Sequence, residues 1–126
     1  MKLEFLANGS PDCPLVRLYD FTLPEVQHLC DLLVGLSNGS ITEVSLDQTA
    51  GIQSVGGCHV RLRVGKADRG GMVVKDPADI DWQLTREGWH TVAGLAKPFS
   101  EKPSNGYQWL DETGPVLLLL SPDGLW

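Results

Sequence analysis

The chain has 126 residues, 42% of them hydrophobic, and a net charge of −6 from ten Lys and Arg against sixteen Asp and Glu. That length suits one domain around one core, and the composition excludes disordered, collagen-like and disulfide-scaffold classes. The acidic balance, with a pI near 4.8, disfavours a nucleic-acid partner and suits a basic protein surface.

Residues 1–7 hold too short an apolar run for a signal-peptide core, and no segment has the length of a membrane span, so a cytoplasmic protein without a membrane partner is expected. Cys13, Cys30 and Cys58 form an odd, dispersed set that reads as free thiols in a reducing compartment. After a loop at Asn8-Gly9-Ser10-Pro11-Asp12, the strand-like run from Val16 to Phe21 leads into Thr22-Leu23-Pro24-Glu25, a capping-box signature. The helix it opens carries Val26, Leu29, Cys30 and Leu33, the i, i+3, i+4, i+7 stripe of a half-buried helix, and runs toward Asn38-Gly39. Glu43, Ser45 and Asp47 then alternate along one strand, and His59, Arg61 and Arg63 along the next. Residues 66–71 read as a hairpin turn between strands 59–65 and 71–75. A strand from Ile80 to Leu84 leads to a second threonine cap, Thr85, and a helical stripe of Trp89, Val92, Ala93 and Ala96. Asn105-Gly106, a strand through Tyr107 and Trp109, and the aliphatic run Val116 to Leu120 complete the chain.

The two halves resemble each other. An offset of 63 residues carries Thr22 onto Thr85, each member of the first stripe onto the second, and Leu36 onto Phe99. Leu46-Asp47-Gln48-Thr49 recurs as Leu110-Asp111-Glu112-Thr113 at an offset of 64, and Leu3 to Leu6 answers Met72 to Val74, with loops at Asp12 to Pro14 and Asp76-Pro77. The expected fold is α+β in a single domain over 1–126. Two β-β-α-β-β units, about 1–70 and 71–126, form a mainly antiparallel sheet with two helices on one face, related by a pseudo-twofold internal duplication.

Zinc would need ligand pairs on a turn, whereas His28 and Cys30 diverge around a helix and Cys58 and His59 point to opposite faces of a strand, so no metal is expected. A Cys58 nucleophile with His59 or His90 as base has no third, orienting group in view. Phosphate-cradling glycine loops are absent, and no cofactor is expected. The His59, Arg61, Arg63 row could hold an anion, but Glu43, Ser45 and Asp47 would face it across a hairpin as charge pairs. On the corresponding face of the second unit stand Tyr107, Trp109 and an all-aliphatic strand, and large apolar side chains on an outer face call for a cover. The reading is therefore a small, acidic, non-catalytic interaction domain. It binds a protein partner or itself, as a homodimer, through Trp82, Tyr107, Trp109 and Trp126. The alternative is a binder or enzyme for an anionic small molecule, with His59, Arg61, Arg63 and His90 lining a pocket between the units.

Overall fold

The computed structural model describes residues 1–75 and 78–126, so the expected loop at Asp76-Pro77 lies outside the described residues. In chain order the elements are β1 (Lys2–Leu6), β2 (Leu15–Tyr19), α1 (Leu23–Asn38), β3 (Glu43–Ser45), β4 (Gln53–Val55), β5 (His59–Val64), β6 (Gly70–Lys75), β7 (Asp79–Leu84), α2 (Arg86–Glu101), β8 (Gln108–Asp111) and β9 (Leu117–Leu120), with a 3-10 turn at Leu46–Gln48. The protein is α+β with two helices and mixed sheets.

Two corrections to the expected fold concern strand neighbours. The strands form two sheets, ordered β4-β1-β2-β9-β8 and β3-β5-β7-β6, and β1·β4, β2·β9 and β5·β7 pair in parallel. Nor do β5 and β6 form a hairpin: β7 lies between them, parallel to β5 and antiparallel to β6. The physical reason lies in matching faces. In parallel register Val60, Leu62 and Val64 stand beside Ile80, Trp82 and Leu84, so both strands turn their apolar rows to the same side. Beside Trp82 on its other flank only a residue without a side chain fits, because a Cβ on Gly71 would come within 2.6 Å of the indole. Alternation along a strand specifies its face, but not which strand lies next to it.

The sheets share a pairing scheme. In each, an antiparallel pair (β1·β2 or β6·β7) joins through a parallel contact (β2·β9 or β7·β5) to a second antiparallel pair (β9·β8 or β5·β3). Each sheet thus takes one pair from either half of the chain, with β4 an addition on β1.

Both helices start where their caps predict. The Thr22 side chain accepts from the Glu25 amide, while the Glu25 carboxylate accepts from the Thr22 amide at 2.8 Å. Thr85 Oγ1 accepts from the Gly88 amide at 3.1 Å, and Asp68 accepts from the Thr85 amide and hydroxyl. Arg86, at the start of α2, donates to the Ser37 and Asn38 carbonyls at the end of α1, and Gln27 near the start of α1 donates to Ser100 near the end of α2. The helices therefore lie antiparallel, with a guanidinium at the electronegative end of α1. Their buried residues are Val26, Leu29, Cys30, Leu33, Gly35 and Leu36 on α1, and Trp89, Val92, Ala93, Ala96 and Phe99 on α2. All of these but Gly35 join the inner faces of both sheets in one hydrophobic cluster.

Candidate functional site

The other face of each sheet carries part of the candidate set: His59, Arg61 and Arg63 on one sheet and Trp109 on the other. On the β3-β5-β7-β6 sheet, strand register sets three charged or polar rows: Glu43, Arg63, Gln83; Ser45, Arg61, Asp81; and His59 beside Asp79, with Asp47 just past the end of β3. The arginines are engaged, but by β7 rather than by Glu43 and Asp47. Arg61 Nε donates to Asp81 Oδ1 at 2.9 Å, Arg61 Nη2 lies 3.1 Å from Asp79, and Arg63 Nη2 lies 3.1 Å from Asp81 Oδ2. The parallel register places Asp81 directly beside Arg61, a position that the expected hairpin did not provide. The hydrogen bond to Asp81, with its negative charge, raises the Arg61 guanidinium above its ordinary range.

His59 Nδ1 lies 2.8 Å from Asp47 Oδ2, and Asp47 Oδ1 accepts the Val60 amide at 3.0 Å. Burial works to raise the Asp47 carboxyl, but hydrogen bonds from His59, Val60 and Gln48 outweigh it and hold the group below the usual carboxylate range. His90 stands elsewhere, on α2, lining a groove between the helices with Cys30, Asp31 and Lys97. The four residues of the anion-binding reading are therefore not brought together: three share a face on which each has an acidic neighbour, and the fourth belongs to the helix pair. Cys30, at that groove, has its thiol raised chiefly by burial.

The outer face of the other sheet carries the row Glu4, Arg17, Leu119, Trp109, of which Leu119 is buried and the other three are half-buried. Tyr107 and Trp109 meet edge to face at 6.3 Å between ring centroids, and Trp109 and Trp126 do the same at 6.4 Å. Tyr107 is 49% exposed, Trp126 36% and neighbouring Leu125 67%. Trp126 Nε1 donates to Asp12 Oδ2 at 3.0 Å. The segment that carries Trp126 is tied down by Ser121 Oγ, which donates to the Leu125 carbonyl at 2.7 Å, and by Asp123, which accepts from the Leu125 amide. The Leu125 amide and then the Ser121 hydroxyl hold Asp123 below its usual range. Leu15 and Leu119, both fully buried, stand apart from the main hydrophobic cluster.

Trp82 is not on this face. It is fully buried in the core, with Nε1 donating to Asp111 Oδ2 at 2.8 Å. The signal was available, because Ile80, Trp82 and Leu84 share one alternation and all three are buried. Sequence reasoning also missed Arg17, whose guanidinium lies 4.2 Å from the Tyr19 ring centroid, donates to the Gly124 carbonyl at 2.8 Å and forks onto Glu4. Its place beside Tyr19 follows from the same alternation.

The chain matches no protein-family model, and no curated protein or solved structure matches it significantly. Among the described residues no helix is long and apolar enough to cross a membrane, and no three His, Cys, Asp or Glu side chains gather as a metal-ligating group.

Proposed function

We propose that this protein is a non-catalytic interaction domain that binds a basic protein surface through Tyr107, Trp109 and Trp126. The observation that carries the reading is the edge-to-face aromatic cluster, in which a half-buried Trp109 stands between exposed Tyr107 and Trp126, beside exposed Leu125 and rimmed by Asp12 and Asp123. Tyr and Trp are the side chains that concentrate binding energy at the centre of an interface, and arginine is their usual complement across it. The seat of Arg17 on Tyr19 supports the same chemistry for an incoming guanidinium. Self-association through this patch is the weaker reading, since two copies would bring like-charged rims together on chains of net charge −6. Three free thiols favour a reducing compartment such as the cytoplasm.

The same proposal includes an internal duplication. It is supported by helices of 16 residues at a constant offset of 63, by five matching buried positions on them, and by the shared pairing scheme of the sheets. In this reading the second copy kept the strand framework and replaced a charged outer row with an aromatic one.

The test is site-specific photocrosslinking from position 107 in the native host. A saturable adduct with one basic protein, lost in Trp109→Ala while the circular dichroism stays unchanged, is expected. Adducts only between copies of this chain, or adducts indifferent to Trp109→Ala, would overturn it.

A further inference from the structure

A second surface, on the other sheet, stands independently of the aromatic cluster. Three of the four sheet-edge strands are short, with three residues in β3, three in β4 and four in β8, whereas β6 has six. Its beginning is covered: the Val116 amide donates to the Gly71 carbonyl at 3.0 Å in an isolated antiparallel bridge. Beyond that point the strand emerges, with Met72 44%, Val73 45% and Val74 50% exposed. Backbone groups alternate between the two sides of an antiparallel strand, so Val73, two residues past Gly71, turns its N–H and C=O to the same open edge. The pairing with β7 shifts register between Val73 and Lys75, so the open edge is centred on Val73, and its outward-facing groups with the apolar side chains around it are a template for another strand.

The charge of the neighbouring row indicates what kind of strand. Asp47 bonds to His59, His59 stands in register with Asp79, and Asp79 stands in register with Lys75 on β6. The row therefore alternates acid, base, acid, base across the sheet and ends on the exposed Lys75, with no further strand among the described residues to supply the next carboxylate. Cross-strand pairs of opposite charge are favourable and like pairs are not.

We infer that β6 accepts an extended segment of a partner protein as a fifth strand, with apolar side chains along Met72 to Val74 and a carboxylate beside Lys75. A second copy of β6 fits less well, because its antiparallel pairing about Val73 would set Lys75 against uncharged Gly71.

The test uses the full chain and a short synthetic peptide alternating valine and threonine, with a single glutamate near one end, and a second peptide with lysine in its place. Amide exchange followed by NMR should show Val73 protected on addition of the glutamate peptide. In Val73→Pro, which removes that outward-facing donor, the glutamate peptide should no longer bind, read as the loss of the peptide-induced shift changes at the other amides of β6. Lys75→Glu leaves the backbone untouched. It should weaken the glutamate peptide about threefold and strengthen the lysine peptide by a similar factor, the size of one exposed ion pair. Unchanged exchange at Val73, equal affinity for both peptides in both proteins, or protection of Val73 that grows with protein concentration in the absence of peptide would each overturn the inference.

Discussion

Asp47 shows how much one residue's role depends on neighbours from outside its own strand. Its carboxylate is only 6% exposed, yet it stays ionised because His59 and the Val60 amide donate to it from β5. Its pKa in the folded protein lies below the ordinary aspartate value, so the unfolded chain binds the proton more tightly. The stabilisation is therefore present above the ordinary value near pH 4 and is lost as pH falls from there through the lower folded value. Asp47→Asn should cost about 1 kcal/mol at pH 7, and the gap from the native protein should narrow by pH 3. Urea denaturation at the two pH values checks this, and a gap independent of pH would contradict it. At this scale the alternation of His59, Arg61 and Arg63 was legible in sequence. The identity of their partners was not, because Asp79 and Asp81 come from a strand about 20 positions along the chain.

The helices were the most legible elements, since their caps and stripes are local. Thr22 and Thr85 cap as their spacing implies, and the five matching stripe positions are all buried. Both threonines accept from the amide three residues on and donate from amide and hydroxyl to a carboxylate. Thr22, however, donates to Glu25 in its own first turn, whereas Thr85 donates to Asp68 in the segment between β5 and β6 and so ties the helix to the sheet. Thr85→Ala should therefore lower stability by about 1–2 kcal/mol, at the upper end for a lost cap. Chemical denaturation of the variant beside Thr22→Ala measures this, with the larger loss expected at Thr85. The strands were legible as strands and mostly as faces. Their neighbours were not, as β5 shows: the adjacent turn suggested pairing with β6, while the shared apolar phase with β7 decided it.

At the scale of the whole molecule each sheet is assembled from both halves of the chain: β8 and β9 complete the sheet of β1 and β2, and β3 and β5 complete that of β6 and β7. Neither half contains a complete sheet of its own, and the main hydrophobic cluster draws on both. Fragments 1–68 and 69–126 should each lack cooperative unfolding alone and recover it when mixed in equal amounts. Circular dichroism melts of the two fragments and of the mixture test this, and a cooperative transition in either fragment alone would contradict it. The sequence by itself determined what is local or periodic: the caps, the helical stripes, the strand faces, the repeat of these signals along the chain and the acidic charge. Only the tertiary structure decided which strands are neighbours, that Trp82 is core while Tyr107 and Trp126 stay open, and that Asp79 and Asp81 engage the arginine row. Those outcomes depend on contacts between residues far apart in the chain, and local spacing carries no information about them.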